Sequence, residues 1–239
     1  MNNSTEPIRA IAFDLDGTLV DSASDIGHAL NSALQLAGLP SFDRSRAREW
    51  IGDGPDVLIE RALAALGGRH AASASHADLR KAFDAATLAA PLVYGSVFDG
   101  IPAMLEQLAS HGPLLVVTNK PTLLARAVLA AAGLLPCFAA VYGADEARLR
   151  KPAPVLLEQA AHDFEVPLRQ LLMVGDGPAD MRAAAAAGAP AVLVGWGYAY
   201  AQGLACGPRW CIEHPRQLHA LVSASLAGAA GRPDGASPG

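Results

Sequence analysis

Two aspartates one residue apart, Asp14 and Asp16, follow directly on the apolar run from Ile8 to Phe13. Such a run predicts a buried parallel strand, and ligands of open α/β sheets bind beyond the carboxyl ends of the strands. Gly17, next after the pair, permits the sharp turn that would hold both carboxylates at that edge. Two carboxylates this close repel, so the pair is costly unless a cation or a shared proton compensates. Other polar residues occupy comparable places. Thr118 follows Leu114-Leu115-Val116-Val117, and Asp176 follows closely on Leu171-Leu172-Met173-Val174. Lys151 lies in the loop after a short strand expected over 139–142. An oxygen nucleophile, a proton carrier and a positive charge would thereby meet on one sheet edge.

Periodicity indicates the elements that must position them. From Ser22 to about Tyr94 no strand-like run occurs. Ser22 or Ser24 caps an expected helix through Ala37, with Ile26, Ala29, Leu30, Ala33 and Leu34 at helical spacing. Pro55 opens a second helix through Leu66, stopped by Gly67-Gly68, and a third runs from Ser75 to about Ala90. An all-helical block placed after a first strand reads as an inserted cap. Beyond Gly100 helices and strands alternate: helix 101–110, strand 113–117, helix 122–132, strand 139–142, helix 155–164, strand 171–174, helix 179–187, strand 191–194. That alternation with short turns predicts an α/β fold, a Rossmann-like parallel sheet core with an inserted helical cap. The expected division is a core of residues 8–21 and 95–226 with a cap of 22–94. Residues 1–7 and the tail 227–239, which is rich in Gly, Ala, Pro and Ser, are expected to be disordered.

Composition excludes several classes of function. The chain has 239 residues, 51% of them hydrophobic, enough for one α/β core with a small module. Apolar stretches are broken by Gly, Pro or charge well short of a membrane span, and the first residues do not have the pattern of a secretory signal. A net charge of −5 without a basic block argues against nucleic acid as a partner. Cys137, Cys206 and Cys211 form no even framework, which fits a reducing cytoplasm. The histidines show no zinc-ligand spacing. The expected partner is a small molecule, with neither nucleic acid nor membrane involved, and the chain is expected as a monomer or homodimer.

Asp14-Leu15-Asp16-Gly17-Thr18-Leu19-Val20-Asp21-Ser22 resembles the first motif of the haloacid dehalogenase superfamily, in its Mg-dependent phosphatase branch. Three further motifs of that family follow in order: Val116–Pro121, Arg150–Pro154 and Met173–Asp180. The resemblance spans residues 8 to 225. Within it, Trp50–Leu63, Thr118-Asn119-Lys120-Pro121 and Gly195–Tyr200 are most similar to the phosphoglycolate phosphatases.

The resemblance implies a phosphate monoester hydrolase acting through an aspartyl-phosphate, with 2-phosphoglycolate as the substrate. Asp14 would be the nucleophile, and Asp16 the group that protonates the leaving oxygen and later activates water. Lys151 would stabilise Asp14 and the transferring phosphoryl group, while Thr118 and Asn119 would contact phosphate oxygens. The concentration of carboxylates calls for a hard cation, and Mg²⁺ fits. Its implied ligands are Asp14, the backbone carbonyl of Asp16, and Asp176, with Asp180 in or near the shell. A substrate carboxylate needs Arg, Lys or amide donors at close range, for which Arg48, Arg61 and Lys120 are the candidates and Arg46 is near. One departure is visible: Gly177 follows Asp176 where the family commonly has Ser or Thr, so a hydroxyl that could hold a carboxylate is missing.

Alternatives stay open at this point. The same motifs suit a phosphatase for sugar phosphates or N-acetylmuramic acid 6-phosphate, and a capped phosphosugar mutase also keeps both aspartates. A dehalogenase or phosphonatase would lack the second aspartate. A phospho-acceptor module like a response-regulator receiver is disfavoured by the cap insertion and the downstream Gly-Asp-x-x-x-Asp, and a non-catalytic regulatory protein of this fold would be expected to have lost an aspartate or Lys151. A dinucleotide-binding domain is disfavoured because no Gly-x-Gly-x-x-Gly follows the first strand.

Overall fold

The computed structural model describes residues 6–67 and 74–230. Eight strands occur among them: β1 (Ala10–Phe13), β2 (Val20–Asp21), β3 (Ser96–Val97), β4 (Leu114–Thr118), β5 (Ala140–Gly143), β6 (Leu171–Gly175), β7 (Ala191–Val194) and β8 (Trp210–Ile212). Six form one parallel sheet in the order β5-β4-β1-β6-β7-β8, while β2 and β3 pair antiparallel. Phe13 stands opposite Val116 on one side and Val174 on the other. The chain therefore leaves β1 toward β4 and β5, then returns to lay β6, β7 and β8 on the opposite flank. The reversal beside β1 opens the crevice in which doubly wound sheets bind ligands.

Alternation along β1 explains how the sheet is covered. Ile11 and Phe13 enter a core shared with Leu105, Leu108, Val128, Leu218 and Val222. Ala10 and Ala12 face the other way, with Leu157, Ala160, Met173 and Ala184. Burial on both faces is the reason these strands read as continuous apolar runs.

Between β2 and β3 lie α1 (Ala23–Leu36), α2 (Arg44–Arg48), α3 (Pro55–Leu66) and α4 (His76–Ala89). They share a separate core of Ile26, Leu30, Leu34, Trp50, Ile59 and Phe83, and this packs on Leu124 of the sheet-side helix Thr122–Ala131. The antiparallel β2–β3 pair joins the two chain passages into this block.

Several features differ from the sequence expectation. Helix α2, the β2–β3 pair, strand β8 and the final helix Arg216–Ala230 are additional to the elements expected from the sequence. Residues 227–230 belong to that final helix and not to an irregular tail. Their Ala content explains this, since Ala is the best helix former. Glu6, expected to be disordered, pairs with Arg169. Residues 1–5, 68–73 (with Gly68) and 231–239 lie outside the described residues, and so does the disorder expected at the two ends.

Candidate active site

Asp14 stands just beyond β1 and Asp176 just beyond β6, adjacent strands that bring their carboxylates together. Asp180 joins them from the first turn of the helix Pro178–Ala187. One carboxylate oxygen from each of these three residues lies within 4.8 Å of the others, and all three side chains are buried. Lys151 enters from the loop after β5. Its Nζ lies 2.9 Å from Asp14 Oδ1 and 2.6 Å from Asp180 Oδ1, and it donates to Val117 O at 2.8 Å.

One ammonium does not balance three carboxylates. Burial pushes the Asp14 carboxyl up to about 6 against the pull of Lys151, with Asp180 and Asp16 adding to the rise. Burial, followed by the charges of Asp180 and Asp14, pushes Asp176 up to about 7. Burial alone would lower the Lys151 ammonium, but Asp14 and Asp180 reverse this and hold it above its ordinary value. Lys151 therefore stays charged.

Asp16 sits beside this cluster and is held by different partners. Lys120 Nζ donates to its Oδ1 at 3.0 Å and Oδ2 at 2.8 Å, and Ser22 Oγ donates to Oδ1 at 2.5 Å. The left-handed backbone at Gly17 (φ 87°) makes the turn that keeps Asp14 and Asp16 on the same edge. Thr118 is buried at the end of β4, where its Oγ1 accepts the Lys120 N–H at 3.2 Å.

Asn119 ties the helical block to the lysine loop. Its Oδ1 accepts the N–H of Lys151 at 2.7 Å, and its Nδ2 donates to Lys151 O at 3.1 Å and Gly52 O at 2.9 Å. Next to this junction Arg150 pairs with Asp56, which also receives Arg80 at 2.6 Å. A cleft opens between the two parts, with Asp14, Asp16, Thr118, Asn119 and Lys120 on the sheet side. Ile26, Ile51, Pro55, Leu58 and Phe83 wall the other side. A second opening reaches Asp14 and Asp16 past Asp176, Asp180, Asp53 and Arg61.

Asp14, Asp16, Thr118, Asn119, Lys120, Lys151, Asp176 and Asp180 are thus gathered at one edge. Arg48 and Arg61 are engaged elsewhere. The Arg48 guanidinium lies 4.8 Å from the centre of the Tyr198 ring. Arg61 lines the second opening but donates to Trp50 O at 2.9 Å and pairs with Asp53. Arg46 pairs with Glu49 on the surface. At Gly177, which has no hydroxyl, the backbone N–H donates to Asp180 Oδ2 at 3.2 Å. Sequence reasoning missed Ser22, Asp56 and Tyr198, because nothing local to them announces their distant partners.

Three buried carboxylates, of which Asp14 and Asp176 have pKa values raised by burial and then by neighbouring carboxylates, face one ammonium and form an all-oxygen site deficient in positive charge. A hard divalent ion fits such a site. No described helix is long and apolar enough to cross a membrane.

A family model for haloacid dehalogenase-like hydrolases matches residues 8–188. The phosphoglycolate phosphatase of Photorhabdus laumondii is 37% identical over 206 residues, covering 86% of this chain and 88% of that one. That of Yersinia pseudotuberculosis is 39% identical over 207 residues, with the same coverage of 86% and 88%. A crystal structure of a predicted phosphoglycolate phosphatase from Haemophilus somnus superposes with a TM-score of 0.82 at 30% identity, over 90% of this chain and 97% of that chain.

Proposed function

The chain belongs to the haloacid dehalogenase-like hydrolases and is a phosphoric monoester hydrolase, and from that premise we propose that it converts 2-phosphoglycolate to glycolate and phosphate with Mg²⁺ as its cation. The observation that carries the reading is the grouping of Asp14 with the carboxylates of Asp176 and Asp180 around the Lys151 ammonium, with Asp16 beside it. The names of the relatives support the substrate.

In this reading an oxygen of Asp14 attacks phosphorus and the bond to the leaving oxygen breaks, giving an aspartyl-phosphate. Asp16 gives its proton to the departing alkoxide. It then takes a proton from water, and the resulting hydroxide attacks the same phosphorus and frees Asp14 and inorganic phosphate. Lys151 holds Asp14 in place and offsets charge on the phosphoryl oxygens, and Thr118 and the Asn119 amide orient those oxygens. Asp14, Asp176, the Asp16 carbonyl and Asp180 would hold the Mg²⁺, which when bound supplies the positive charge that an anionic substrate needs among these carboxylates. The helical block, residues 22–94, acts as a cap that excludes water and meets the leaving group.

Of the three sequence candidates for the leaving-group side, Lys120 is favoured because it lines the cleft beside Asp16. Lys120 is the cation nearest Asp16, whereas Arg48 and Arg61 are held by other partners. Lys120 is therefore the first candidate to meet a substrate carboxylate. A panel assay of purified protein with Mg²⁺ tests the proposal. It should include 2-phosphoglycolate, sugar phosphates, N-acetylmuramic acid 6-phosphate and an aryl phosphate. A kcat/KM for 2-phosphoglycolate at least about tenfold above the neutral sugar phosphates is expected, a margin of roughly 1.4 kcal/mol in the transition state. Equal rates would overturn the substrate and leave the hydrolase.

A further inference from the structure

The segment Gly195–Tyr200 has no part in the chemistry above, yet it crosses the site from the end of β7. Trp196 Nε1 donates to Thr18 O at 3.1 Å, which pins the segment over the turn after β1. Gly197 packs so tightly that a Cβ there would come within 2.1 Å of the Asp176 Cβ. The next residue, Tyr198, donates its N–H to Asp176 Oδ2 at 2.6 Å.

The side chain of Tyr198 points to a different part of the molecule. Its hydroxyl accepts the N–H groups of Ser22 at 2.8 Å and Ala23 at 3.1 Å, and donates to Asp21 Oδ1 at 2.8 Å. One donated and two accepted bonds use the full capacity of a phenol. Burial and the carboxylates of Asp16 and Asp21 hold the phenol well above its ordinary pKa, so it remains a donor. These N–H groups belong to the start of α1, where a helix has no internal acceptors. Ser22 stands at the N-cap position, but its hydroxyl donates to Asp16 and makes no cap. The cap comes instead from Tyr198, 176 residues away in the chain. Arg48 of α2 covers the same ring. Asp21 and Ser22 form the first of the two passages into the helical block, so one residue touches both a carboxylate of the cluster and the hinge.

We propose that Tyr198 is a positioning residue for the reaction, tying the orientation of Asp176 to the seating of the helical block on its hinge. The inference rests on the reading of Asp14, Asp176 and Asp180 as a cation site. Fixing Asp176 fixes the Tyr198 backbone, and with it the hydroxyl that caps α1. Linkage makes the effect reciprocal: freeing the first turn of α1 loosens Asp176 and weakens cation binding.

Amide hydrogen exchange at Ser22 and Ala23 in the full chain, with and without Mg²⁺, tests this alongside calorimetry of Mg²⁺ binding. In the wild-type protein Mg²⁺ should slow exchange at these two amides by about 5-fold or more, the lower end of ordinary coupling between sites. Tyr198→Phe keeps the backbone N–H on Asp176 and removes only the hydroxyl. It should abolish this Mg²⁺-dependent protection and weaken Mg²⁺ binding several-fold. A purely structural role would lower stability and leave Mg²⁺ affinity unchanged, which would overturn the proposal. Mg²⁺ binding to wild type without any change at Ser22 and Ala23 would overturn it without any variant. Absence of Mg²⁺ binding to wild type would remove the cation reading and this inference together.

Discussion

Lys120 Nζ stands 3.0 and 2.8 Å from the two carboxylate oxygens of Asp16, so the lysine proposed to meet the substrate carboxylate also holds the residue proposed to protonate the leaving oxygen. Both side chains are largely buried, at 6% and 12% exposure, which keeps water from screening the pair. Lys120→Met should therefore lower kcat/KM by about 10²-fold, the scale of a lost acid–base contribution. Because the contact is with Asp16, an aryl phosphate without a carboxylate should suffer too. Steady-state kinetics on both substrates checks this, and a loss confined to 2-phosphoglycolate would limit Lys120 to holding the substrate.

Asp14→Asn should keep the fold and end turnover, since an amide does not attack phosphorus. Intact-mass measurement after rapid quenching should find a phosphoryl adduct on wild-type protein and none on this variant. Asp16→Asn should cost at least about 10²-fold in kcat while leaving Asp14 in place. Normal turnover by Asp14→Asn would sink the covalent mechanism.

Stability without metal should fall as pH rises through the site's titration range. Asp14 and Asp176 both have folded-state pKa values raised from 3.8, to about 6 and about 7. Between pH 4 and 7 these two groups bind more protons folded than unfolded, so their contribution to stability is lost across that window as pH increases. The expected result in chelator is a decline in Tm from these groups over that range, flattened in Asp176→Asn. Mg²⁺ should restore Tm at pH 7.5 more than at pH 5, where protons compete for the same oxygens. Identical pH profiles for wild type and Asp176→Asn would contradict this.

Gly54 lies where the helical block meets Asn119. Its φ is 85°, and a Cβ there would stand 2.9 Å from Asn119 O. Gly54→Ala therefore combines backbone strain of about 1–3 kcal/mol with a contact the main chain cannot relieve. It should raise KM by displacing Gly52 from Asn119, with the sheet intact by circular dichroism. An unchanged KM would show that this junction does not govern entry to the cleft.

Removing Asp56 should have a related effect by a different route. Asp56→Ala leaves Arg150 and Arg80 without their shared carboxylate, a loss of roughly 1.5–3 kcal/mol for a charged hydrogen-bonded contact. Urea denaturation should register it as a shifted midpoint, and Asp56→Glu should recover part of it. Stability equal to wild type in Asp56→Ala would mean that this junction contributes little.

The spacing of Asp14 and Asp16 after an apolar run, and of Asp176 after another, was enough to place them at strand ends. Strand formation and direction are local properties, and a parallel sheet puts equivalent ends on one edge. The helical block was legible for the same reason, from periodicity within α1, α3 and α4. Helix α2 and the β2–β3 pair were not, because elements of five and two residues have too little intrinsic preference to declare themselves. Side-chain partners were least legible of all. Arg48 and Arg61 had the right charge for a carboxylate, but tertiary packing engages them with Tyr198, Trp50 and Asp53. Lys120 on Asp16, Asn119 between Gly52 and Lys151, and Tyr198 on the first turn of α1 join residues from 32 to 176 positions apart. Sequence spacing reports where the main chain runs over a few residues. Which distant side chain completes a hydrogen bond is decided only when the sheet order and the docking of the helical block bring the two together.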